Sequence, residues 1–292
     1  MTIFQAIIMG ILQGVAEFLP ISSSGHLAIM KQILHMNTDT GLLFDVMLHF
    51  GTLLAVFLVF WKDIKKLIIE GFGILGDFFV NVGRAIHNLF HSQDKKEYKK
   101  VVCTAYRKFV MLVIVSTIPT GILALLFRDV IEVTSETLLV PGLCLLLTAV
   151  LLLIADRTAP GKKRANDVSY ANAGIIGLAQ GFATLPGLSR SGTTITACLS
   201  CGLYKNFAVK YSFIMSIPAI LGAVILQVKD FGSIVASSND IVAYIIGTCV
   251  AAVVGYICMK TMLVIVRGKK YKGFAYYCFV VGMIAIIWNF VA

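Results

Sequence analysis

Gly10-Ile-Leu-Gln-Gly-Val-Ala-Glu-Phe-Leu-Pro-Ile-Ser-Ser-Ser-Gly-His26 is the stretch on which the reading of this chain turns. It sets Gln13, Glu17, three serines and His26 inside a strongly apolar N-terminus. An ionisable residue at membrane depth is costly, so it is a functional candidate by default. Pro20 and Gly25 break any single helix through the stretch. Irregular backbone at that depth is tolerated only where protein or a water-filled cavity surrounds it. The whole chain sets the context: 292 residues, 58% hydrophobic, only 14% charged, mean hydropathy +0.89. Soluble domains carry about 25% charged residues. The composition therefore excludes a soluble enzyme and predicts an all-α polytopic membrane protein.

Outward from that stretch, residues 2–18 and 24–34 are apolar pieces, each too short to span. Together they read as a re-entrant helix–loop–helix. Spans are expected at 43–61, 109–127, 138–155, 208–227, 241–259 and 273–291. Residues 62–106 alternate lysines with Leu67, Ile68, Phe72, Leu75, Phe78 and Phe79, which predicts a cytoplasmic amphipathic insertion on the membrane surface with a mobile tip near 91–97. Residues 170–185 are again short and apolar, broken at Pro186-Gly187, with a helix restarting near Ser191. No basic n-region or cleavage site marks a signal peptide. The seven cysteines are scattered, and the lone Cys198-x-x-Cys201 lacks a second pair, so no metal or disulfide framework is expected.

Gly10-x-x-Gln13-Gly14-x-Ala16 returns as Gly177-x-x-Gln180-Gly181-x-Ala183, and Ser22-x-Ser24-Gly25 returns as Ser189-x-Ser191-Gly192, both 167 residues later. One re-entrant pair followed by three spans in each half predicts an inverted-topology repeat within a single membrane domain, 1–155 and 170–292. Of the 25 Lys and Arg, 21 fall in 62–108, 156–168, 204–210 and 260–272, and only Lys31, Arg128 and Lys229 on the opposite side. The positive-inside bias makes the basic side cytoplasmic and opens the first break outward. The net charge of +10 thus needs no nucleic acid.

The second break, Leu185-Pro-Gly-Leu-Ser-Arg-Ser-Gly-Thr-Thr194, carries Arg190, whose planar fork of donors suits phosphate oxygens. Ser189, Ser191, Gly192 and Thr194 surround a helix start, where anions bind. The plainer reading is that Arg190 only pairs with Glu17. The first break adds Ser22, Ser23 and Ser24 as hydroxyls, with Glu17 or His26 as a base. Gln13 shares a helix face with Glu17. Asp45 and His49, four apart, orient the site, bind a cation, or simply hydrogen-bond each other. An anion clamp, a nucleophile and a base are the parts of phosphoryl transfer, here on a lipid-linked phosphate. The competing class is a transporter or flippase, which the fold alone would favour but which needs no nucleophile.

At Gln13-x-x-x-Glu17, Pro20-x-Ser-Ser-Ser-Gly-His26 and Pro186-Gly-x-Ser-Arg-Ser-Gly-x-Thr194, the chain resembles the undecaprenyl-diphosphate phosphatase family, also called the bacitracin-resistance proteins. The resemblance covers essentially the whole length. It implies hydrolysis of undecaprenyl diphosphate to undecaprenyl phosphate and inorganic phosphate in a bacterial cell membrane, carrier recycling for wall synthesis, and lowered bacitracin sensitivity. It also implies a divalent cation, Mg2+ or Ca2+, with Glu17 as the candidate ligand. The family's (E/Q)-x-x-x-E motif falls on Gln13 and Glu17, its serine on Ser23, its histidine on His26 and its arginine on Arg190. Ser22, Ser24, Gly25, Gln13, Ser189, Ser191, Gly192 and Thr194 are then expected around the substrate. The expected partners are the lipid diphosphate and the bilayer, with a homodimer left open.

Overall fold

A computed structural model describes residues 1–36, 41–91, 93–128, 130–131, 137–159, 161–230, 238–267 and 271–291. All regular structure among them is helical apart from one isolated bridge between Lys163 and Leu203. The chain runs α1 (Ile3–Phe18), α2 (Ser23–Ile33), α3 (Gly41–Phe90), α4 (Ala105–Leu126), α5 (Leu139–Arg157), α6 (Tyr170–Phe182), α7 (Arg190–Ser200), α8 (Lys205–Asp230), α9 (Ser238–Arg267) and α10 (Tyr271–Val291). A short 3-10 turn at Ala165–Asp167 precedes α6. Among the described residues, six helices are long and apolar enough to cross a membrane, one overlapping each of the six expected spans.

The short helices begin on side-chain caps. Thr2 and Gln5 form a capping box at α1, and Ser169 Oγ accepts from Asn172 N at α6. Ser22 Oγ accepts from Gly25 N at α2, and Ser189 Oγ accepts from Gly192 N at α7. Each cap satisfies a backbone donor that the first turn leaves unpaired.

Packing follows a paired scheme. Helix α1 lies along α9, α6 lies along α4, and α5 packs on α10. Small residues bring these axes close, as in membrane helix pairs generally. A Cβ on Gly14 would come within 2.8 Å of Gly255 N and Val254 Cβ, and one on Gly181 within 2.7 Å of Leu123. Gly14→Val is therefore expected to destabilise the α1–α9 pair by about 1–3 kcal/mol. The check is the thermal midpoint in detergent, and an unchanged midpoint would contradict this packing. Outward faces stay apolar and exposed, as with Ile114, Ile118, Ile122 and Leu125 on α4. Such a stripe faces lipid tails without cost.

The sequence predicts a span at 43–61 followed by a separate surface segment. The structure instead carries one helix through residue 90, bent where Phe60 leaves helical geometry (φ −103°, ψ 18°). The return segment expected as a mobile tip is held along that helix. Asn81 exchanges two hydrogen bonds with the Lys99 backbone, 2.8 Å each, and Asn88 does the same with Lys96 at 2.7 and 2.9 Å. Each amide side chain stands in for a neighbouring strand. Seven helical residues rise about 10.5 Å and three extended ones about 10 Å, so the two anchor points match only if the return runs extended and antiparallel. Arg107 closes the base on Glu70 (2.9 Å) and Asp77 (2.6 Å).

Candidate active site

The two breaks meet. Ser24 Oγ accepts from Gly187 N at 3.2 Å, and a Cβ on Gly25 would lie 3.0 Å from Gly187 Cα. Gly187 has φ +89°, and a side chain there would run into the Pro141 backbone. Because α2 and α7 both start here, their positive N-terminal ends converge on one place. Beside it lies a cavity of 330 Å³. Glu17, Ser23, His49 and Arg190 line its polar side, and Ala219, Ile220, Ala223 and Val224 of α8 its apolar side. Polar and apolar walls in one cavity suit a ligand with a charged head and a hydrocarbon chain.

Glu17 is the hub, 5% exposed. Its Oε2 accepts from Ser23 Oγ at 2.7 Å and from Gln13 Nε2 at 3.0 Å, and lies 3.3 Å from His49 Nδ1. Its Oε1 accepts from Arg190 Nη2, so both the plain ion-pair reading and the clamp reading of Arg190 have a place. The other fork nitrogen, Arg190 Nη1, is buried with no partner among the described residues. A buried donor left unpaired is costly, and here it belongs to a side chain that lines the cavity. Gln13 Nε2 also lies 2.9 Å from His49 Nδ1. Turning the amide over would set Gln13 Oε1 against the Glu17 carboxylate. Hence Nε2 donates to Glu17, and His49 Nδ1 lies within reach of both groups.

Ser23 reaches Glu17 because of the residue before it. Ser22 adopts φ 70°, ψ 98°, a left-handed conformation that side chains rarely occupy. Such strain persists only where surroundings enforce it. Pro20 ahead and the Ser22 cap behind fix the turn.

Several expected contacts are not there. His26 is not among the cavity residues: its Nδ1 bonds Ser22 O at 2.7 Å, and its Nε2 bonds Tyr277 Oη at 2.8 Å. Its ring stacks on Tyr277 at 5.5 Å, so α10 holds the ring face and one nitrogen while the start of α2 holds the other. Ser22 and Ser189 are consumed as caps, and Gly192 donates to Ser189. Ser191 Oγ donates to Leu19 O at 3.5 Å, and Thr194 Oγ1 bonds Ser212 Oγ at 2.5 Å. Gly25 packs on the other break. Only Glu17, Ser23, Ser24 and Arg190 of the expected set line the cavity, with Gln13 buried behind Glu17. His49, Asp45 and Lys31 join them. The i, i+4 pair Asp45/His49 was the signal for two of these; Lys31 had none beyond its charge.

A divalent cation fits poorly on Glu17. Hard cations want six or more oxygen ligands, yet both Glu17 oxygens already hold donors, one of them a guanidinium. Among the described residues no group of three His, Cys, Asp or Glu side chains is placed to hold a metal.

The sequence profile of the family described as "Bacitracin resistance protein BacA" matches residues 6–284. A protein of Methanosphaera stadtmanae named "Undecaprenyl-diphosphatase" is 42% identical over 285 residues, covering 98% of this chain and 97% of its own. Proteins of the same name from Alkaliphilus metalliredigens (37% identical, 99% of each chain) and Treponema denticola (40%, with 97% of this chain and 96% of its own) are similarly close.

Proposed function

This chain belongs to the bacitracin resistance protein BacA family, and from that premise we propose how its cavity works. The chain is a membrane phosphatase that hydrolyses undecaprenyl diphosphate. The observation that carries the mechanism is the 2.7 Å hydrogen bond from Ser23 Oγ to Glu17 Oε2 beside an unpartnered arginine nitrogen. A hydroxyl donating to a carboxylate is a nucleophile with its base in place.

In this reading Arg190 Nη1 takes an oxygen of the terminal phosphate. Ser23 Oγ forms a bond to that phosphorus, the bridging P–O bond breaks, and undecaprenyl phosphate leaves. Glu17 receives the serine proton and passes it to the departing phosphate oxygen. The carboxylate then takes a proton from water, whose oxygen bonds to the phosphorus of the phosphoserine; the Ser23 Oγ–P bond breaks, Glu17 returns the proton to Ser23 Oγ, and inorganic phosphate leaves. His49 and Gln13 hold Glu17 in place through these steps. Of the two expected bases, Glu17 takes the role here, because both ring nitrogens of His26 are committed elsewhere. No step runs through a metal ion.

The charge bias of the loops supports an outward-facing site in a cell membrane, where a lipid diphosphate is left after cargo delivery. The recurrence of motifs at offset 167 and the paired contacts α1–α9 and α6–α4 support an inverted repeat. A flippase with this fold would need no Ser–carboxylate pair. The deciding experiment is phosphate release from undecaprenyl diphosphate by purified protein in detergent, without a sealed membrane. Steady release is expected; release only from sealed vesicles would favour transport.

A further inference from the structure

We propose that Lys31 is a second phosphate-binding residue of the cavity, trading its partner Asp45 for one phosphate group of the substrate. The proposal rests on the phosphatase reading above. A diphosphate brings two anionic groups, and the chemistry so far holds one of them. Arg190 has one nitrogen committed to Glu17 and one left for the reacting phosphate. The other group needs its own cation within the same cavity.

Helix α2 supplies it. Ser24, Ala28 and Lys31, at i, i+4 and i+7, lie on one face of the helix and all line the cavity. At 1.5 Å per residue, Lys31 sits about 10 Å further along the wall than Ser24, and a flexible four-carbon stem can reach back towards the breaks. Its Nζ rests on Asp45 Oδ2 at 2.5 Å. That pair is not a fully satisfied structural bridge: Asp45 Oδ1 is buried with no partner among the described residues. Asp45 also has His49 one turn further along α3, facing the same cavity. Moving Lys31 from carboxylate to phosphate exchanges one ion pair for another, and Asp45 keeps a neighbour able to donate to it.

The test uses the purified full-length protein in detergent, with undecaprenyl diphosphate as substrate and inorganic pyrophosphate and inorganic phosphate as competing probes. Lys31→Met is expected to raise KM about tenfold, with kcat falling far less, and to weaken pyrophosphate binding by the same factor while phosphate binding barely moves. Lys31→Arg should recover most of the loss. Asp45→Asn is expected to lower KM, because it frees Lys31, and a KM that stays level or rises would count against the exchange. A merely structural bridge predicts that K31M and D45N damage KM and thermal midpoint alike, and that result would overturn the proposal. So would equal weakening of pyrophosphate and phosphate. If the unsubstituted protein released no phosphate, the phosphatase reading would fall, while the pyrophosphate-to-phosphate binding ratio would still judge Lys31.

Discussion

Arg190→Ala is expected to lower kcat/KM by about 10³-fold or more, and Arg190→Lys is not expected to restore it. An arginine that neutralises a transferring phosphoryl group is worth about 10³–10⁵ in rate. Here the same guanidinium is anchored through Nη2 on Glu17, which leaves Nη1 unpartnered among the described residues on a side chain that lines the cavity. A lysine ammonium is a single point of charge, so it can serve the carboxylate or the phosphate but not both. The alanine variant also strands Glu17 as a buried charge without its counter-ion, which costs about 3–5 kcal/mol when such a pair is broken. Activity must therefore be expressed per folded protein, with the thermal midpoint measured alongside. R190A retaining more than a tenth of the normal kcat/KM would end the clamp assignment.

Ser23→Ala should reduce turnover by about 10³-fold or more, through loss of the attacking oxygen and its positioned base. Unlike Arg190, it can be removed without structural damage. Among the described residues its Oγ bonds Glu17 alone, and Glu17 keeps Arg190, Gln13 and His49. The midpoint should therefore hold while the rate collapses. Acid-quenching the unsubstituted enzyme with labelled substrate should leave phosphate on Ser23 and none in S23A. A label on His26 would transfer the nucleophile's role there, against its two occupied ring nitrogens. S23A turning over within tenfold of normal would instead point to direct attack by water.

Much of the fold was legible because lipid leaves a strong imprint on sequence. Continuous apolar runs set the spans, Pro20 and Pro186-Gly187 set the breaks, and serine caps set the helix restarts. The continuation of α3 past Phe60 was not legible, because no glycine or proline marks the bend. In the site, Glu17 and Arg190 stood out as charges in apolar surroundings. Which of three serines would face Glu17 depends on the left-handed turn at Ser22, a conformation with no composition signal. The choice between His26 and His49 was tertiary: α10 takes one ring and the α1–α3 contact recruits the other. The offset of 167 sharpens this contrast. It carries Gln13, Glu17, Asp45 and His49 onto Gln180, Thr184, Ser212 and Ser216. Gln180 then donates to Thr120 and to the Met215 carbonyl in a cluster without a single charge. Pattern shows that two such places exist; only side-chain chemistry shows that one of them is ionised.

The Glu17–Arg190 bond joins residues 173 positions apart, one on each break. The carboxylate that would activate Ser23 is thus also the latch between the two ends of the chain. A polypeptide caught midway through membrane insertion, with its first break in place and its second still being made, has a serine and a carboxylate but no clamp. On the proposed mechanism such a chain would be inert toward phosphoanhydrides. Competence arrives only with closure of the molecule, so a half-made copy cannot spend the carrier lipid of the membrane it is entering.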